Sequence, residues 1–205
     1  MENQQQIAEK TPKPKSERIL QKHSDIIQAA IKLFATQDYH TVLMDEVANV
    51  AGVGKGTLYR YFKDKEALFV ACVEDAFDET IDFIHATKHD ETMPYRERLR
   101  TVVLKLVEFY STNGHFFRVM HHEKAFRAAD GSSSIQAKWD KLRRIVSNLV
   151  EGGKQAGEFG NVDGAVVTAA VLGIVRALVN HMGGQPSQEI ARSAAKIILE
   201  GIDAH

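Results

Sequence analysis

Apolar residues recur at three- and four-residue intervals along nearly the whole chain, in runs separated by short polar, proline- or glycine-bearing breaks. That spacing is the period of the α-helix. Ile19, Ile26, Ile27, Ala30, Ile31 and Phe34 predict a long first helix over residues 16–37, with Ser16 as its N-cap. Val47, Ala48 and Ala51 give a short second helix its apolar face, and Gly52 supplies the small residue for a tight corner. A third helix from about 54 to 61 turns Leu58 and Phe62 inward. Phe69, Val73, Phe77, Ile81 and Ile84 carry a fourth from 63–65 to 88. Pro94 suits the first position of a fifth, which holds Leu99, Val102, Val103, Leu106 and Tyr110 inward and stops at Asn113-Gly114. A sixth, 115–128, is rich in aromatic and imidazole groups. Gly131 and the serines 132 to 134 cap a seventh, whose stripe of Ile135, Trp139, Leu142, Val146 and Leu149 ends at Gly152-Gly153. An eighth, 162–182, is apolar nearly all round, so it must be covered on most sides, and a ninth spans 186–201. The fold class is all-α with about nine helices.

The polar positions of the second and third helices carry the chemistry. Lys55 brings charge to a helix N-terminus, Gly54 and Gly56 remove bulk so that backbone can approach a neighbour, and Thr57, Tyr59, Arg60 and Tyr61 offer hydroxyl and guanidinium donors. Such a helix suits a phosphate-lined groove. Lys65 stands in the first turn of the fourth helix, where an ammonium and free backbone N–H groups can face one phosphate. Tyr59 and Tyr61 have a plainer alternative as core aromatics.

Over the same residues, Met-Asp-Glu-Val-Ala from Met44, Ala-Gly-Val-Gly-Lys-Gly-Thr-Leu-Tyr-Arg-Tyr-Phe from Ala51 and Lys-Asp-Lys-Glu-Ala-Leu from Lys63, the chain resembles the tetracycline-repressor (TetR) family of bacterial regulators. The resemblance covers residues 16–70. Residues 1–15, with three consecutive Gln, two Pro, three Lys and little apolar content, read as a mobile tail. The resemblance implies a three-helix helix-turn-helix DNA-binding domain (16–64) and a helical ligand-binding and dimerisation domain (65–205). It implies a set of DNA contacts made of Lys55, Gly56, Thr57, Tyr59, Arg60, Tyr61 and Lys65, with Lys55 and Arg60 at base edges or adjacent phosphates and Thr57, Tyr59 and Lys65 mainly at phosphates. Two departures stand out. Val42 and Leu43 replace the usual Thr or Ser at the start of the second helix, leaving Thr41 or Asp45 to supply a partial cap, and Asp38 replaces a glycine in the preceding turn.

Composition alters this picture in one respect. A net charge of −1 taken alone argues against nucleic acid, but residues 10–65 hold 10 Lys plus Arg against 6 Asp plus Glu, while residues 1–9 carry −2 and the remainder −3. A basic front and an acidic back suit a DNA reader joined to a regulatory body. Hydrophobic residues at 44% and charged residues at 26% are ordinary globular values. A single cysteine, Cys72, and the absence of a leader pattern lead us to expect a reduced, cytoplasmic setting. The uncharged run from Gly164 to Val175 is too short for a membrane span, which takes about 20 residues.

The second half offers weaker signals. Phe109, Tyr110, Phe116, Phe117, Met120, Trp139, Arg143, Arg176 and His181 form a candidate effector pocket, though most such aromatics are ordinary core, and a buried Arg176 would need an acid, a ligand carboxylate or solvent. His85 and His89, at i and i+4 with Asp90 next, read as solvated helical side chains rather than a metal site. Ala170, Gly173 and Ala177 let another helix come close, either in a monomer core or, as the resemblance implies, across a four-helix homodimer interface. No P-loop, nucleophile elbow or dinucleotide loop is present, so we assign no catalytic residue, no cofactor and no metal. The function expected is a dimeric regulator of a double-stranded DNA operator, a repressor released by a small-molecule effector and with no membrane partner. The alternative is the same fold answering to a protein partner.

Overall fold

The computed structural model describes residues 14–88, 92–122, 133–181 and 188–202. Its helices are α1 (Lys15–Thr36), α2 (Met44–Val50), α3 (Lys55–Tyr61), α4 (Lys65–Lys88), α5 (Tyr95–Thr112), α6 (Gly114–His122), α7 (Ser133–Gln155), α8 (Gly164–His181) and α9 (Gln188–Glu200). The all-α expectation holds. Residues 1–13 of the expected tail (1–15), His89, Asp90, Gly131 and the 123–128 end of the sixth helix lie outside the described residues, while Lys15 already belongs to α1.

α4 is the beam of the molecule. Its first half packs on α1, where Phe69 meets Phe34 edge to ring with centroids 5.2 Å apart and the Cys72 thiol faces the Ile27 carbonyl. Its second half packs on α5 and α7, with Phe77 against Phe109 and Trp139 at 5.0 and 4.8 Å. One cluster of buried apolar side chains therefore runs from Ile26 through Phe69 and Leu106 to Ile202. Burying this much apolar surface is the main drive to fold.

Several helix ends differ from expectation. Ser16 is not the N-cap of α1: Pro14 is, with its carbonyl accepting from Arg18 N, and the first turns of α1 project so that Ile19 is exposed rather than inward. Pro94 is likewise the N-cap of α5, one residue before the helix. The unsatisfied N–H groups of that helix are met from a distance, since Glu158 accepts from Tyr95 N and Arg96 N at 3.1 and 2.9 Å. The Gly152-Gly153 pair does not end α7, which continues to Gln155 and closes at Gly157 with φ +73°. Those two glycines answer to packing instead: a Cβ at Gly152 would overlap the Tyr95 ring, and one at Gly153 the Phe159 ring.

α8 has one buried side, Val167, Thr168, Val171 and Val175, while Ala165, Val166, Ala169, Ala170, Gly173 and Ala177 are exposed. Ala170, Gly173 and Ala177 thus lie outside the core of this chain. No helix among the described residues is long and apolar enough to cross a membrane.

Candidate nucleic-acid interface

α2, the turn and α3 are fixed from beneath. Val47, Ala48, Leu58 and Phe62 are buried, and Gly52, at φ +65°, takes the left-handed conformation that L side chains disfavour. Gly52 N and Val53 N then bond back to the Asn49 and Ala48 carbonyls at 3.1 and 3.0 Å. Asp64 caps α4 through Ala67 N at 2.7 Å. That cap was legible, since an Asp immediately precedes the helix.

The outer face of α3 holds Lys55, Gly56, Tyr59 and Arg60, all exposed. A Cβ at Gly54 or Gly56 would meet nothing within 4 Å, and neither residue has positive φ. Gly54 is the N-cap of α3, a position that glycine suits, but the fold gives no reason for Gly56, since glycine inside a helix costs about 1 kcal/mol relative to alanine. Close approach by an external partner gives one. Thr57 is half-buried, with its N–H on the Gly54 carbonyl at 2.8 Å.

Three of the expected contacts have partners within the protein. Tyr61 is half-buried and its hydroxyl donates to the Ile19 carbonyl at 3.2 Å, tying α3 to α1. Lys65 donates to the carbonyls of Tyr39, His40 and Val42 at 2.7, 3.0 and 3.0 Å, with the ammonium 4.7 Å from the Tyr39 ring centre. All three of its protons are engaged in clamping the α1–α2 loop, so a phosphate would have to displace a carbonyl. Burial also lowers the Lys65 pKa from the ordinary lysine value. Lys55 pairs with Asp45 of α2 at 2.8 Å, and that hydrogen bond raises its pKa. Sequence periodicity carried no signal for this pair, because it spans two helices and a turn.

The expected substitute caps for α2 are absent. Leu43 is the N-cap, with no side-chain hydrogen bond and 63% exposure, while the Thr41 hydroxyl goes to the Asp38 carbonyl and Asp45 to Lys55.

In the second half, Phe109, Tyr110, Phe117 and Trp139 come together with Phe77, ring centroids lying 4.8–6.3 Å apart. Burial pushes the Tyr110 hydroxyl well above the usual tyrosine range, partly opposed by the charge of Arg176. Phe116 packs instead on Phe69 at 5.2 Å. Arg143 is exposed and paired with Asp140 on its own helix, and Arg176 is exposed as well, so neither is a buried pocket cation. Met120 and His181 sit in α6 and α8, but their side chains lie outside the described residues. Among the described residues no three His, Cys, Asp or Glu groups are placed to hold a metal.

A helix-turn-helix with an exposed, basic, glycine-flanked second helix, carried on a larger helical body, defines the class of DNA-binding regulators. The family model described as bacterial regulatory proteins, tetR family, matches residues 26–72, and the tetracyclin repressor-like C-terminal domain matches residues 92–202. The chain belongs to the TetR family and is a DNA-binding transcription regulator of that family. The HTH-type transcriptional regulator YhgD of Bacillus subtilis is 28% identical over 75% of this chain and 80% of its own length. Among solved structures, a TetR/AcrR-family regulator from Thermobifida fusca superposes with a TM-score of 0.73 at 24% identity, covering 87% of this chain and 97% of its own. The Bacillus subtilis regulator FadR, solved in complex with stearoyl-CoA, gives 0.67 at 20% identity over 88% and 99%.

Proposed function

We propose that this regulator is a homodimeric repressor that reads a two-fold operator through α3 and leaves it when a small-molecule effector binds among α4–α8. The observation that carries the DNA half is the outer face of α3. Lys55, Tyr59 and Arg60 project from a helix whose Gly54 and Gly56 leave open space where side chains would stand. That helix fits a major groove with its backbone close to phosphate, Lys55 at its N-terminal end aimed at base edges and Arg60 beside them. Thr57 and Tyr59 would then contact phosphates. Tyr61 and Lys65 support this surface from within and drop out of the contact set.

Two features support the rest. The exposed apolar side of α8 is what a second copy would cover. Phe109, Tyr110, Phe117 and Trp139 pack ring on ring as an apolar cluster that an apolar effector would have to part, and the FadR complex has a long acyl thioester in a protein of the same fold. An effector with a fatty acyl chain is therefore the first class to try.

The test begins with selection of duplexes by the protein from a randomised pool, then titration of the best duplex and a scrambled one. Lys55→Ala should weaken the selected duplex by roughly five- to a hundredfold and the scrambled one far less, because only a base contact distinguishes them. Thr57→Ala should weaken both by similar factors. No enrichment of any sequence, or no release by long-chain acyl-CoA and free fatty acids across a chain-length series, would remove the operator or the acyl-effector reading respectively.

A further inference from the structure

Lys55 Nζ lies 2.8 Å from Asp45 Oδ2, with 63% and 56% of the two side chains exposed, so an acid stands on the surface that α3 offers to DNA. Every phosphate repels a carboxylate, and on affinity alone such a residue is a defect. Asp45 does not cap its own helix. We propose that Asp45 is a specificity-determining residue, which restrains Lys55 from attaching to phosphates of arbitrary sequence and presents it to a G·C base-pair edge. This rests on the reading of Lys55 as a base contact.

The argument is one of competing partners. Asp45 lies in the first turn of α2, where free N–H groups favour an anion, whereas Lys55 lies in the first turn of α3, where the same groups disfavour a cation. The pair offsets that penalty. To reach a phosphate, Lys55 must either leave Asp45 bare against the DNA backbone or bring the carboxylate with it, and both are unfavourable. A guanine edge differs. The ammonium has three protons, of which Asp45 takes one, and the N7 and O6 acceptors of guanine can take the other two with the pair still closed. The second carboxylate oxygen is then free to accept from the N4 amine of the paired cytosine, the usual base partner of an acidic side chain in the major groove. The closed pair therefore complements a G·C edge and mismatches a phosphate.

The experiment uses the full chain, the duplex that the wild-type protein selects from a randomised pool and a scrambled duplex of the same composition. Asp45→Ala and Asp45→Asn should bind the scrambled duplex about fivefold more tightly per subunit, the scale of one removed charge contact in water. Their salt slope should steepen by about one unit per subunit as Lys55 takes up a phosphate. The selected duplex should gain less or lose, so the ratio of the two affinities falls. In a Lys55→Ala background the same substitutions should leave that ratio unchanged. Thermal unfolding of each variant separates damage to the fold from loss of discrimination, and Asp45→Asn keeps the side-chain shape. Equal shifts on both duplexes from the Asp45 variants, with the Lys55→Ala loss still confined to the selected duplex, would overturn the inference alone. A Lys55→Ala protein that weakens both duplexes equally would remove the base-contact reading and the inference with it.

Discussion

Lys55 and Lys65 stand ten residues apart, each in the first turn of a helix, and only their neighbours make them different. The ammonium of Lys65 is held by three carbonyls of the α1–α2 loop, whereas that of Lys55 reaches outward to Asp45. Lys65→Met should therefore lower stability by about 1–2 kcal/mol, since carbonyls lose a charged donor. The salt slope of DNA binding should stay unchanged. A flatter slope at unchanged stability would return Lys65 to the phosphate contacts. Asp75 gives a second test at this scale. It lies on α4 facing α1, accepting from Gln28 Nε2 at 3.4 Å, and its pKa is raised first by burial, then by Glu79 and Asp78, with His23 and Lys138 opposing. A carboxyl whose pKa is higher folded than unfolded holds more protons when folded, so its contribution to stability falls as pH rises from the unfolded value of 3.8 through the folded one. Asp75→Asn should raise the unfolding midpoint at pH 7 and flatten the pH dependence across the mildly acidic range. A midpoint that drops at pH 7 would mean that the charge is stabilising where it stands.

At the scale of elements, the helices are set by period and their ends by partners far away in sequence. The Gly152-Gly153 pair has the look of a helix terminator, yet α7 runs through it because Tyr95 and Phe159 occupy the space that two Cβ atoms would need. Gly153→Ala tests this directly. Alanine favours helix intrinsically by about 1 kcal/mol, but the overlap with a buried ring should outweigh that and leave a net loss of about 1–2 kcal/mol in denaturant unfolding. A gain in stability would show that Phe159 moves aside freely. The Glu158 cap on α5 belongs to the same corner, and it explains how a helix begun at Pro94 without a side-chain cap keeps its first turn.

For the whole molecule, the exposed side of α8 bears on assembly. α8 buries Val167, Val171 and Val175 in its own chain and exposes Val166 at 65%, with Ile197 of α9 also at 65%. Among the described residues a Cβ at Gly173 meets nothing within 4 Å, so a side chain there leaves the helix on its exposed side, away from the monomer core. Gly173→Phe should leave thermal unfolding of the isolated chain almost unchanged but shift sedimentation from dimer toward monomer at micromolar concentration. Loss of the dimer should also cost operator affinity, because two half-sites are then no longer held together. A wild-type protein that sediments as a monomer would remove this proposal and the expectation of a two-fold operator.

How far this could be read without coordinates depends on the range of the interaction involved. The helical type of the described elements, the corner at Gly52 and the basic outer face of α3 follow from local period, from backbone sterics and from residues within a few positions of one another, and the sequence alone determined them. Ser16, Gly152 and Gly153 misled because caps and glycines have two readings, one local and one set by what packs against them. The pairing of Lys55 with Asp45, the capture of Lys65 by three carbonyls, the exposure of Arg143 and Arg176 and the uncovered side of α8 were decided only by the tertiary structure. Each depends on which surfaces meet once the helices have packed, and a one-dimensional pattern records which residues prefer to be buried but not which neighbour buries them.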